Sequence, residues 1–215
     1  MSTPNIKIVL LGPPTCGKGT RAKMIAQELG LRHISTGDMF REIVKEVSEL
    51  GTKVKALLDA GELVPDDITN EIVRNHLAGI EGGWVLDGYP RNLAQAQVLD
   101  EITQIDKAFY ITVSDQEIER RVVKRRVCPN CGGIYHIEDG PPKVDGLCDN
   151  CAAALIHRLD DTLEVIQNRL KIYYEQTHPI VDVYKERGIL TEVSGEGEKA
   201  VGLAEILNHA RALLR

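Results

Sequence analysis

Nine consecutive residues, Gly12-Pro13-Pro14-Thr15-Cys16-Gly17-Lys18-Gly19-Thr20, have the types and spacing that hold a phosphate. Four residues separate Gly12 from the Gly17-Lys18 pair. Between a strand and a helix, a loop of that pattern turns its backbone N–H groups onto one spot, where the helix dipole also favours an anion. Lys18 adds a mobile positive charge for β- and γ-phosphates, and Thr20 a hydroxyl for a magnesium ion. A second constellation lies far along the chain. Cys128-Pro129-Asn130-Cys131 and Cys148-Asp149-Asn150-Cys151, with sixteen residues between them, form two knuckles able to converge on one tetrahedral ion, read as structural zinc. Four protein ligands leave no position for a substrate, so the site is expected to be closed.

The neighbouring segments must position these groups. Ile6, Ile8, Val9, Leu10 and Leu11 make a short buried parallel strand ending at Gly12, and Ala22, Ile25, Ala26 and Leu29 give the next segment one apolar helical stripe, closed by Gly30. Strands follow at Arg32 to Ser35, Trp84 to Leu86, Ala108 to Val113 and Ile189 to Val193. Helices carry Met39, Phe40, Ile43, Val44 and Val47, with Gly51 as their stop, then Val54 to Leu58, ended by Gly61, and Ile68 to Leu77, opened by Pro65. Asn92 caps the next helix. Ser114 with Glu117 reads as a capping box for a helix running to Val127, and Asp161 with Glu164 as the cap of a long helix reaching Tyr173. Pro179 opens another helix, and Ala200 to Leu214 a last one. The fold class is therefore α/β: a doubly wound, five-stranded parallel sheet, interrupted by a small module at the cysteines.

The chain has 215 residues, 43% of them hydrophobic, and a net charge of -6, with a pI near 5.6. That is enough for one main domain, and its acidity argues against nucleic acid or an anionic membrane as partner. No apolar run reaches spanning length, and the first strand starts within about six residues of Met1, which leaves no room for a leader. A cytoplasmic monomer is the expectation, with the paired cysteines as metal ligands and not disulfides.

The segments Gly12 to Thr20, Ser35-Thr36-Gly37-Asp38-Met39-Phe40-Arg41, Asp87-Gly88-Tyr89-Pro90-Arg91 and Arg158-Leu159-Asp160-Asp161 resemble adenylate kinase motifs in order and approximate spacing, over nearly the whole chain. The cysteine insertion is similar to the zinc-bearing lid of that family's long members. The resemblance implies a P-loop nucleoside monophosphate kinase that moves the γ-phosphoryl of ATP onto AMP, giving two ADP with magnesium. It also implies a core of residues 1–34, 65–123 and 162–215, an NMP-binding flap at 35–64 and a lid at 124–161.

By the same resemblance, Lys18, Arg91, Arg125, Arg158 and Arg169 are catalytic. Arg41 and Arg91 grip the AMP phosphate, while Arg125, Arg158 and Arg169 close over the transferring phosphoryl. ATP would lie on Gly12 and Thr15, Cys16, Gly17, Lys18, Gly19 and Thr20, with Arg121 and His136 stacking on its adenine beside Ile134 and Tyr135, and Gly197 after the last strand. AMP would meet Thr36, Glu62, Leu63, Val64, Gly88, Tyr89, Pro90 and Gln95 as well as Arg158 and Arg169. The chemistry agrees with these roles, because a guanidinium fork grips phosphate bidentately, and a glutamine amide offers a base edge both donor and acceptor. Asp87, at a strand end beside the loop, is placed to hold magnesium through water.

Thr15 stands where most members have glycine, so either the loop takes a conformation that a β-branched residue tolerates or nucleotide affinity is altered. Cys16 is read as a small inert side chain. The choice between ATP and GTP as donor is not encoded legibly. A nucleotide-dependent switch or zinc-ribbon module binding nucleic acid through Arg120 to Arg126 is the rival, disfavoured by the acidic charge.

Overall fold

The computed structural model describes residues 4–46, 48–197 and 199–214, and of residues 199 and 200 only the backbone. Val47, assigned above to a helix, lies outside the described residues, as does Glu198 in the loop after the last strand. Strands β1 (Lys7–Leu11), β2 (Arg32–Ser35), β3 (Trp84–Asp87), β4 (Lys107–Thr112) and β7 (Leu190–Ser194) form one sheet in the order β2-β3-β1-β4-β7, every pairing parallel. The phosphate-loop strand is thus central. Alternation along β1 sends Ile8 and Leu10 to one face, where they pack with Ile25 and Leu29 of α1 (Lys18–Leu29) and Ile206 of α9 (Lys199–Ala212). Val9 and Leu11 face the opposite layer, built with Val73 of α4 (Asp66–Ala78), Leu99 of α5 (Leu93–Ile102) and Tyr184 of α8 (Pro179–Glu186). With both faces covered, the ligand edge is left at the carboxyl ends of the strands.

A smaller core lies to one side, where Phe40 of α2 (Thr36–Lys45), Val54 of α3 (Glu49–Ala60) and Val64 pack together. Gly51 does not stop the preceding helix. It sits inside α3, where a Cβ would come within 2.7 Å of the Ile43 and Glu46 carbonyls, so its role is close helix approach. On the other side α6 (Asp115–Lys124) ends before Val127, and Arg125–Val127 forms β5, antiparallel to β6 (Ile134–His136). Nothing in those residues' polarity alternates as a strand would, which is why the hairpin was not legible.

Two caps also differ from expectation. Ser114 precedes α6 but makes no side-chain cap; its N–H donates to Glu196 at 2.7 Å, and Glu117 is held instead by Arg120 and Arg121. Those guanidiniums hold the Glu117 carboxyl down at about 2, against a smaller upward push from burial. The helix α7 (Leu163–Ile172) is capped by Thr162, not Asp161, and passes into a π-helical turn at Tyr173–Thr177. That turn places Thr177 to donate to the Arg91 carbonyl at 2.6 Å.

Candidate active site

The glycine loop runs from the end of β1 into α1 as the spacing predicts. Gly12 and Gly17 have φ of 146° and 91°, and a Cβ on Gly12 would strike the Ile111 carbonyl at 2.6 Å. Thr15 also takes a left-handed φ of 58°. The loop therefore keeps a conformation that suits glycine, at a cost of about 1–2 kcal/mol for a β-branched residue, while Thr15 Oγ1 donates to the Ile118 carbonyl at 3.3 Å. Lys18 Nζ reaches back to the Gly12 and Pro13 carbonyls, at 2.7 Å each. Thr20 lies half-buried in the first turn of α1.

Asp87 ends β3 opposite Leu10. Its Oδ2 would be 3.2 Å from a Cβ on Gly19, so the carboxylate abuts the helix start that follows Lys18. The next turn begins at Gly88, whose φ of 85° and close approach to the Thr36 hydroxyl require glycine. Thr36 Oγ1 donates to the Gly88 carbonyl at 2.8 Å and is buried there.

A small pocket opens beside this turn, lined by Phe40, Leu58, Glu62, Leu63, Val64, Thr69, Gly88, Arg91 and Gln95. Six of the residues assigned to AMP meet in it. Phe40, Leu58 and Thr69 have no ligand role in the sequence reading; only the spatial meeting of α2, α3 and α4 brings them to the pocket. Gln95 is buried with its amide fixed at both ends, Nε2 donating to Asp66 at 2.7 Å and Oε1 accepting from the Arg91 N–H at 2.8 Å. Tyr89 instead turns its ring into the core and donates to Asn70 at 2.7 Å, and the Tyr89–Pro90 bond is cis.

The arginines gather at the same edge. Arg91 donates through Nε to the Gly88 carbonyl at 2.8 Å. Burial, with the charges of Arg169 and Arg41 nearby, holds its guanidinium down at about 10, against a smaller opposing effect from Asp87. Arg41 pairs with Asp38. Arg158 and Arg169 share the buried carboxylate of Asp160, at 2.5 and 2.6 Å, and Arg125 pairs through both Nε and Nη2 with Asp161, which is wholly buried. Both aspartates belong to a quoted motif, yet their pairing with these arginines was not foreseen, since Asp161 and Arg125 are 36 positions apart. Arg121 links Glu117 to the Gly195 carbonyl at 2.9 Å, and so reaches the loop that holds Gly197, where a Cβ would meet open space.

In the cysteine module the four Sγ atoms lie within 4.8 Å of one another, with Cys128–Cys151 and Cys131–Cys148 each at 3.4 Å. A disulfide would need about 2.05 Å, whereas a tetrahedral ion with ~2.3 Å bonds sets its sulfurs about 3.8 Å apart. Each knuckle turns on a left-handed residue after its second cysteine, Gly132 at 68° and Ala152 at 55°. Tyr135, assigned to ATP, directs its hydroxyl at Cys148 Sγ, 3.4 Å away, and His136 is buried with Nδ1 accepting the Asp139 N–H at 2.9 Å. Ile134 remains exposed. No helix among the described residues is long and apolar enough to cross a membrane.

Comparison with known proteins agrees with this geometry. A family model described as adenylate kinase matches residues 10–189. A protein named adenylate kinase from Methanothrix thermoacetophila is 48% identical over 200 residues, covering 90% of this chain and 93% of its own length. One of the same name from Thermosipho africanus is 45% identical over 213 residues, covering 96% and 100%. Another, from Clostridium botulinum, is 46% identical over 197 residues, covering 88% and 91%. With the phosphate loop, the arginine-lined edge and these relatives all in agreement, the chain belongs to the adenylate kinase family.

Proposed function

We propose that the chain transfers the γ-phosphoryl of ATP to AMP, reversibly, giving two ADP. The observation that carries this is the gathering of Arg41, Arg91, Arg158 and Arg169 beside Asp87, at the sheet edge where the phosphate loop ends. An AMP phosphate oxygen would attack the γ-phosphorus, and the bond to the β–γ bridging oxygen would break, leaving its electron pair on the new ADP. The attacking oxygen is already ionised, so no general base is required; alignment and charge neutralisation suffice. Arg41 and Arg91 hold the acceptor phosphate, and Arg125, Arg158 and Arg169 take the charge of the moving group. Lys18 and the loop N–H groups receive the charge left on the β-phosphate.

Asp87, through water, and the Thr20 hydroxyl would hold magnesium, which would supply charge screening of the ATP oxygens when bound. The four cysteines, already at near-tetrahedral separations, fit a structural zinc. Gln95, with Glu62 to Val64, lines the acceptor base site, its amide held in one orientation by Asp66 and the Arg91 N–H. Residues 35–64 and 124–161 act as flaps that keep water from the γ-phosphate. The unbridged cysteines support a cytoplasmic location, and a monomer is the expected state of a chain with one catalytic core.

A coupled ADP-formation assay over ATP and GTP as donors, and AMP, GMP, CMP and UMP as acceptors, tests the proposal. Turnover should be fastest with ATP and AMP. Faster turnover with a pyrimidine acceptor, or no ADP from AMP, would overturn it.

A further inference from the structure

Arg21, in the first turn of α1, is a charged residue that none of the roles above uses. It is 4% exposed. Nη1 donates to the Cys16 carbonyl at 3.1 Å, while Nε and Nη2 are buried without a hydrogen-bond partner. Among the described residues no carboxylate forms an ion pair with it. The guanidinium abuts the phosphate loop. A Cβ on Gly17 would sit 2.6 Å from Nη1, and one on Gly202 of α9 would sit 3.4 Å from Nη2. Two glycines thus leave the room that this side chain fills, between the loop and the helix after β7. Burial lowers its pKa, Cys16 opposes that, and the charge of Arg121 adds to the lowering; an arginine nevertheless stays charged.

A buried cation with two unsatisfied donors and no counter-charge is costly, and a chain gains nothing in stability by keeping it. The cost falls if an anion arrives on the other side of a thin, glycine-rich wall. We propose that Arg21 is a positioning residue of the donor site, an uncompensated charge held behind the phosphate loop whose field is met by the polyphosphate of the donor nucleotide. The proposal rests on the phosphoryl-transfer reading. Low dielectric around the guanidinium makes its field at the loop stronger than that of a solvated surface arginine. Its bond to the Cys16 carbonyl also fixes the peptide that leads into Gly17, so the N–H groups of Gly17 and Lys18 keep their aim at the anion. The acceptor pocket, on the Gly88 and Gln95 side, is lined by none of these groups.

A merely structural arginine and a charge kept for a ligand respond differently to removal. In Arg21→Gln, the melting temperature without ligand should equal or exceed that of the wild type. Affinity for ATP, measured by titration calorimetry, should fall about tenfold, the loss of one charge-assisted interaction, and AMP affinity should not change. Arg21→Lys, which keeps the charge, should recover most of the ATP affinity. ATP binding as tight in Arg21→Gln as in the wild type would overturn the role of Arg21. So would a lowered melting temperature with both nucleotides weakened together, and so would failure of both Arg21→Gln and Arg21→Met to fold, since each would make the guanidinium a brace. A wild-type chain that binds no ATP would instead overturn the phosphoryl-transfer reading itself.

Discussion

Arg169 and Asp160, nine positions apart, meet at 2.6 Å on the same carboxylate oxygen that Arg158 holds at 2.5 Å. One buried acid therefore sits between two guanidiniums proposed to take the transferring phosphoryl. Burial by itself pushes the Asp160 carboxyl up, but the two arginine charges and their hydrogen bonds outweigh it and hold the group at about 2. Asp160 keeps the two forks converged and stops them repelling each other, as an anionic ligand would.

A carboxyl held below its usual value of 3.8 contributes stability above that pH, and loses it as pH falls through about 2. Asp160→Asn should therefore be less stable than the wild type by about 2 kcal/mol at neutral pH, and the gap should close between pH 4 and pH 2. Urea unfolding of both proteins across that range measures it. A gap unchanged at low pH would mean that the arginines do not hold this carboxylate.

What could be read from residue order was whatever depends on near neighbours. The loop from Gly12 to Thr20 is legible because its strand, turn and helix start are contiguous, and the sheet because five apolar runs alternate with helical stripes. Gly51 was misread since a glycine that stops a helix and one that lets two helices touch look alike in one dimension. The capping box failed because Glu196, 82 positions away, takes the Ser114 N–H. The ion pairs of Asp160 and Asp161 are hidden in the sequence for a related reason: a carboxylate beside arginines in sequence carries no record of which guanidinium it will meet. Arg21 was invisible because nothing local says that a first-turn arginine points inward.

Arg91→Ala should weaken AMP binding by about tenfold or more while leaving ATP binding without AMP largely intact. Arg91 lines the acceptor pocket with Gln95 and is anchored by Thr177 and Gly88, all away from the loop. Separate titrations of the two nucleotides check this. Equal weakening of both would move Arg91 out of the acceptor site and into support of the shared centre.

Lys18→Ala should lower turnover by about a hundredfold or more, with little change in melting temperature. The ammonium's contacts are all within its own loop, to the Gly12 and Pro13 carbonyls and, at 3.5 Å, to Cys16 Sγ, so its removal takes away charge at the proposed phosphate site and not packing. Steady-state kinetics with a thermal melt on the same sample separates the two effects. Near-wild-type turnover would contradict the role assigned to this lysine.

The cysteine module separates stability from chemistry. Its four sulfurs face one another, while the arginines proposed to serve the reaction stand outside it: Arg125 at the start of β5 and Arg158 just after Ile156, which pairs with Val127. A metal there would cross-link the two knuckles without reaching a phosphate. Elemental analysis should therefore find about one zinc per chain, and Cys148→Ser should melt about 5 °C lower or more. The same variant should retain measurable turnover at moderate temperature, because Asp160 and Asp161 still hold Arg158, Arg169 and Arg125. Purified protein without metal, whose melting temperature ignored a strong chelator under reducing conditions, would remove the structural zinc. A variant that stayed folded and lost all turnover would show that the module does more for the reaction than hold the lid in shape.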